Sequence, residues 1–210
     1  MNRVIVLLFV FLLCTCTASS AAAGIVKVDW EGQITAVDNT HVPLSVQPGL
    51  SMSGTLFFDS NGAGQSIGAF LTRYDFPTQP WTLDLPGQAP FARTGVRVEV
   101  SNDTPIGLDA VTFATIGQLD GDFGVTIALR DFDATLFSDQ SLPTKIDQPI
   151  FNQFEFEQLT ISRRVGNTIF GNVITGQFTS FTVRPVPEPT SLAVFGVLAT
   201  GTVFIRRKKR

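Results

Sequence analysis

Val26-Lys27-Val28-Asp29-Trp30-Glu31-Gly32-Gln33-Ile34-Thr35-Ala36 is the stretch that decides the fold. Val26, Val28, Trp30, Gly32, Ile34 and Ala36 fall on one parity, and Lys27, Asp29, Glu31, Gln33 and Thr35 on the other. Successive side chains of a β-strand point to opposite faces, so this alternation predicts a long strand with one buried face.

The same period recurs outward from there. Met52, Gly54, Leu56 and Phe58 predict a second strand, closed by the turn residues Asp59-Ser60-Asn61-Gly62. Residues 70–76 predict a third. Trp81, Leu83 and Leu85 predict a short fourth, bracketed by Pro80 and Pro86 and therefore expected at a sheet edge, where a missing N–H costs no ladder bond. Val96, Val98 and Val100 alternate with polar residues, and residues 110–116 form a further strand. Phe123, Val125, Ile127 and Leu129 share one face, and residues 131–134 continue that strand or open its neighbour. Residues 138–149 read as a loop with two prolines. Phe154 and Phe156 are expected to face in, whereas Leu159 and Ile161 take the opposite parity, which predicts a β-bulge or bend near Gln158. Residues 168–183 are apolar on both parities, as a central strand is. No segment of the body shows a 3.6-residue period. Eight to ten short strands between turn clusters imply an all-β fold, a single antiparallel β-sandwich or jelly roll.

The two ends differ from the body. Met1-Asn2-Arg3, an apolar run over 4–13 and Ala21-Ala22-Ala23 read as a secretory signal peptide cut after Ala23. The residues before Cys14 and Cys16 lack the small side chains of a lipidation site, so both cysteines leave with the signal and the mature protein has neither disulfide nor thiol. The other end reads Pro187-Glu188-Pro189-Thr190-Ser191, then apolar residues 192–205, then Arg206-Arg207-Lys208-Lys209-Arg210. The prolines stop any helix from passing through them, and Thr190 or Ser191 can cap one that starts after them. Residues 192–205 make roughly 21 Å of helix at 1.5 Å per residue, against a hydrocarbon core of about 30 Å. Starting the helix at 190 and letting Arg206 and Arg207 snorkel gives a marginal transmembrane span. Gly196, Ala199 and Gly201 suit packing in a membrane, and the five positive charges place the body outside the cytoplasm.

This order of motif, apolar run and basic end resembles the PEP-CTERM sorting tail of Gram-negative bacterial exoproteins. The resemblance implies a sorting motif at Pro187, Glu188 and Pro189, a membrane stop at Arg206, Arg207, Lys208, Lys209 and Arg210, and an exosortase-type transpeptidase as processing partner. It also implies an intermediate anchored in the inner membrane and delivery to the cell surface or extracellular matrix. Gly32-x-Ile34-x-x-Val37-Asp38 and Ser53-Gly54-x-Leu56-x-Phe58-Asp59 look like the opening strands of many such exoprotein bodies, a likeness that implies no activity.

Between the ends, residues 24–185 are enough for one domain with a sizeable core. Arg3 and the five terminal basic residues lie outside, leaving nine of fifteen Lys and Arg; of eighteen Asp and Glu only Glu188 lies outside, leaving seventeen. The body therefore carries a net charge of −8 against −3 for the whole chain, which argues against nucleic acid and anionic membrane surfaces as partners. Of nineteen Phe, most must be core.

Chemistry has few places to reside. His41 is the one histidine. Gly64-Gln65-Ser66-Ile67-Gly68 matches a nucleophile-elbow pattern but sits in a Gly-rich loop, without the strand and helix that motif needs. Glu155 and Glu157, expected on one strand face about 6.5–7 Å apart, match the roughly 6.5–9.5 Å carboxyl spacing of inverting glycosidases, as do Asp131 and Asp133; a solvated sheet face explains both pairs. Asp120 and Asp122, and Asp59-Ser60-Asn61, offer oxygens to Ca²⁺ without the spacing of an EF-type loop. Trp30 is in register with Val28 and Ile34 and is expected in the core, whereas Trp81 is the candidate to stack on a sugar ring. The reading is a surface or matrix protein without catalytic activity or cofactor. The alternatives are a carbohydrate-binding module or adhesin of an extracellular polysaccharide matrix, and a glycoside-acting enzyme with an acidic pair.

Overall fold

The computed structural model describes residues 24–104 and 107–187. The chain runs β1 (Ile25–Val37), β2 (Ser51–Asp59), β3 (Gln65–Ser66), β4 (Leu71–Asp84), β5 (Phe91–Ser101), β6 (Asp109–Thr115), β7 (Phe123–Asp131), a one-turn helix α1 (Gln148–Phe151), β8 (Phe156–Val165) and β9 (Thr168–Pro185). Every strand pairing is antiparallel.

Eight of these strands close a ring in the order β1, β2, β4, β5, β6, β7, β8, β9 and back to β1. The fold is a closed antiparallel barrel, not the sandwich expected from the sequence. The closing contact is Ser53–Leu56 of β2 against Trp81–Asp84 of β4, with Gly54 opposite Leu83 and Leu56 opposite Trp81. Alternation requires only that each strand bury one face; it is the same whether that face looks across at a second sheet or into a ring.

Two local expectations change with it. The third and fourth strands are one long strand, β4, whose register shifts between Phe76 and Pro80. Pro77 and Pro80 sit at this bulge, where a missing donor disrupts nothing, and not at a free edge. In β8, pairing with β7 runs without a shift from Phe156 to Arg163. The expected bulge near Gln158 lies instead in the pairing with β9, between Ile161 and Arg163. Phe156 faces out, under the Arg130 guanidinium 4.8 Å away, while Phe154, whose side chain is buried, belongs to the loop before the strand.

The barrel is apolar inside and polar outside. Val26, Val28, Leu56, Phe58, Val98, Phe113, Ile127 and Phe181 are fully buried, whereas Lys27, Asp75, Arg97 and Glu99 ion-pair on the outer wall. An eight-stranded ring is just wide enough for side chains to fill. Phe58, Phe113 and Phe181 meet across the interior with centroids 6.0–6.1 Å apart, and Phe151 of α1 stacks on Phe181 at 5.2 Å. Gly54 is required by this packing. A Cβ there would meet Trp30 Cζ2 at 2.6 Å and the Thr82 carbonyl at 2.5 Å, so only glycine lets the Trp30 ring cross β2.

Among the described residues no helix is long and apolar enough to cross a membrane. The expected signal peptide at 1–23 and the expected transmembrane segment at 190–205 lie outside the described residues.

Candidate functional site

The barrel has two rims. β1 begins and β9 ends at the same one, where Val26 is opposite Pro185 and the Val186 N–H donates to the Ile25 carbonyl at 2.8 Å. Pro187, exposed, follows immediately. The remainder of the expected sorting motif, Glu188 and Pro189, and the expected basic stop at 206–210 lie outside the described residues. This exit rim also carries the ends of β2, β5 and β7 and the starts of β4 and β6.

Two buried aspartates hold it in shape. Asp109 and Asp131 are register partners, 0% and 2% exposed. Asp109 accepts from the N–H groups of Asp103 (3.0 Å) and Phe137 (2.9 Å), which ties the two long rim loops together. Asp131 accepts from the N–H groups of Asp133 (3.0 Å), Thr135 (2.8 Å) and Leu136 (3.1 Å), and from the Thr135 hydroxyl (3.2 Å). Burial pushes the Asp131 carboxyl up, but these hydrogen bonds outweigh it and hold the group below the usual carboxylate range. The expected solvated pair of Asp131 and Asp133 is thus corrected: Asp131 is a buried loop anchor.

The other candidates are dispersed. Trp81 is 1% exposed inside the barrel, so its ring is core and presents no stacking surface; Trp30 is core as expected. Glu155 lies in the bend before β8 and accepts from the Phe132 N–H at 2.7 Å. Glu157 lies in β8, its carboxyl pushed up by burial. At the far rim, His41 Nδ1 and Asp38 Oδ2 are 2.8 Å apart, the imidazole stacks on Phe170 at 3.9 Å, and Arg163 donates to the His41 carbonyl. The hydrogen bond to His41 holds the Asp38 carboxyl below its ordinary value. Ser66, from the Gly64–Gly68 match, lies in β3 at the opposite rim, and its hydroxyl donates to the Gly68 carbonyl at 2.9 Å. Asp122 takes a bidentate pair from Arg93 (2.9 and 3.2 Å) and the Leu119 N–H, while Asp120 accepts from the Gly166 N–H. The two carboxylates therefore serve different partners. Among the described residues no group of three or more His, Cys, Asp and Glu is placed to hold a metal.

One feature had no signal in the sequence. The outer wall over β1, β2, β4 and β9 carries two contiguous hollows of about 490 and 550 Å³ that share Glu31, Ser53 and Asp84. Glu31, Ser53 and Asp84 form one row across three strands. The next row is Asp29, Thr55 and Thr82, with the two threonine hydroxyls 2.8 Å apart. Lys27 and Arg184 both pair with Asp29, at 2.6 and 3.0 Å. Among the described residues Glu31 and Asp84 carry no ion pair. These residues come from four separate stretches, 27–31, 53–55, 82–84 and 184, and only the register of the closed ring aligns them.

Fold and site together define a closed antiparallel barrel with a filled apolar interior, both ends at one rim and a polar trough on its wall. Comparison with protein-family models, with curated proteins and with solved structures finds no match to this chain.

Proposed function

We propose that this chain is an exported surface or extracellular-matrix protein without catalytic activity, held in the inner membrane by residues 190–205 and processed near Pro187–Pro189 by an exosortase-type enzyme. The observation that supports it most is the position of the motif. The last backbone bond of the barrel is made by Val186, and Pro187 follows it exposed. The barrel is closed without the tail, so cutting beyond Val186 breaks none of its pairings, as a temporary anchor requires. Deleting Pro187–Arg210 and fractionating the cells tests this: the barrel is expected to move from the membrane and surface fractions to a soluble exported one. Unchanged surface display overturns it.

The wall trough favours a second reading, the binding of a neutral or amino-bearing polysaccharide. Rows of Ser, Thr, Asp, Glu, Lys and Arg in one hollow are suited to hydroxyl-rich ligands, and the two unpaired carboxylates suit an ammonium group. On a glycan array, Glu31→Gln with Asp84→Asn is expected to abolish binding of amino-sugar polymers. Retention by the double variant, or absence of binding by the native body, overturns this reading.

A further inference from the structure

The exit rim is not uniformly polar. Phe70 and Ile67, in the turn between β3 and β4, are 40% and 44% exposed, and Phe132, just past the end of β7, is 52% exposed. All three stand on the rim from which the chain leaves toward its apolar tail, and they are fixed there. The Phe70 carbonyl accepts from the Asn102 N–H at 3.1 Å. Gln140 bonds the Ala69 carbonyl and the Thr72 hydroxyl, and Tyr74 donates to the Gln140 carbonyl. The Phe132 N–H is held by Glu155. The Ile67 N–H donates to the Leu71 carbonyl at 2.9 Å, so two aromatic rings and one aliphatic side chain are carried on hydrogen-bonded backbone.

Chain length then sets where this rim sits. Five residues, 187–191, separate Val186 from the start of the apolar run at Leu192. Fully extended, they span about 17 Å at roughly 3.3–3.6 Å each. The headgroup layer occupies about 5–7 Å of that on each side of the hydrocarbon core. With the tail inserted, the exit rim is held within about 10 Å of the headgroup surface, and the tether gives the contact a high effective concentration, so a small apolar area suffices. We infer that, in the anchored intermediate, the exit rim rests on the outer face of the inner membrane with Phe70, Ile67 and Phe132 in the lipid interface. This rests on the anchor reading above. The far rim also exposes apolar residues, Leu44, Leu119 and Ile169 among them, but the tail begins at the opposite end and holds them away from the same bilayer. Asp59 at the end of β2, Asp103 after β5, and Asp133 and Asp139 after β7 share this rim and the body carries −8, so its lipid is zwitterionic; anionic lipid weakens the contact.

The exported chain, residues 24–210, contains no cysteine. An environment-sensitive fluorophore is attached in turn to Phe70→Cys, Phe132→Cys and, as the far-rim control, Leu119→Cys; all three native side chains are exposed, so folding is undisturbed. Each is reconstituted in phosphatidylcholine vesicles carrying a quencher in the acyl chains, and insertion of the tail is checked by resistance to alkaline extraction. Quenching at positions 70 and 132 is expected to exceed that at 119 by about threefold or more, as for groups buried in the interface. Equal quenching at both rims in a carbonate-resistant chain overturns the contact while leaving the anchor standing. Release by carbonate overturns the anchor reading and the contact with it. Shielding of the labels before lipid is added shows the tail folded onto the rim and likewise overturns the lipid contact.

Discussion

Trp81→Ala is expected to lower the unfolding free energy by about 3–5 kcal/mol, the range for emptying a large aromatic from a packed core, read as a fall in the urea midpoint with the slope unchanged. Trp81 is 1% exposed and stands opposite Leu56 at the seam that closes the ring. Removing it hollows the interior beside the only pairing between β2 and β4, so the loss falls on the contact that makes this a barrel. Small domains are stable by only about 5–15 kcal/mol, so the variant sits close to the threshold of folding. Trp81→Phe keeps most of the aromatic volume and removes an indole N–H that has no partner among the described residues; it is expected to cost less than half as much. A surface stacking residue would behave in the opposite way, with an unchanged midpoint for both variants, and that outcome would remove Trp81 from the core.

Trp81 also shows what the sequence could and could not convey. Its alternation with Leu83 and Leu85 correctly marked one buried face. Pro80 beside it suggested an edge, and an edge suggested exposure. The structure uses the proline at a bulge within a continuous strand, and bulges leave little trace in composition. The strand set was legible because period two is a local property: the observed β1, β2, β5, β6, β7 and β9 overlap the expected segments. Closure was not legible, because it depends on which strands meet at long range. Nothing local in Ser53–Leu56 states that its partner is Trp81–Asp84 and not a strand of a second sheet.

The same distinction separates the site features. The Pro187-Glu188-Pro189 motif is contiguous and could be read directly, but its relation to the barrel could not: the return of β9 alongside β1, which brings Val186 to Ile25, is a matter of topology. The trough of Glu31, Ser53 and Asp84 is built entirely from register. Acidic residues were the least legible of all. Asp120, Asp122, Asp131 and Asp133 look alike in a turn-rich sequence, yet Asp122 is neutralised by Arg93 and Asp131 is buried among backbone donors. An aspartate at a strand end serves loop N–H groups as readily as a ligand, and no spacing rule separates the two.

Asp131 leads to the second large effect, a dependence of stability on acid. Its folded carboxyl lies below the usual range because charge-accepting hydrogen bonds outweigh the cost of burial. A carboxylate depressed in the folded state contributes stability that is fully present above its unfolded pKa of about 3.9 and is lost as the pH falls through the folded value. The native protein is therefore expected to hold its thermal midpoint down to about pH 4 and to lose it progressively below. Asp131→Ala removes the acceptor of the Asp133, Thr135 and Leu136 N–H groups in a loop that is itself exposed or half-buried; water replaces part of the lost bonding, and the variant is expected to cost about 1–3 kcal/mol at neutral pH. Asp131→Asn retains an acceptor, costs less, and cannot titrate, so its acid limb is expected to be shallower than the native one. Midpoints of both proteins between pH 7 and pH 2 decide it. Parallel curves would show that the acid loss arises elsewhere, whereas convergence at low pH, where the native Asp131 is also uncharged, assigns the difference to this carboxylate.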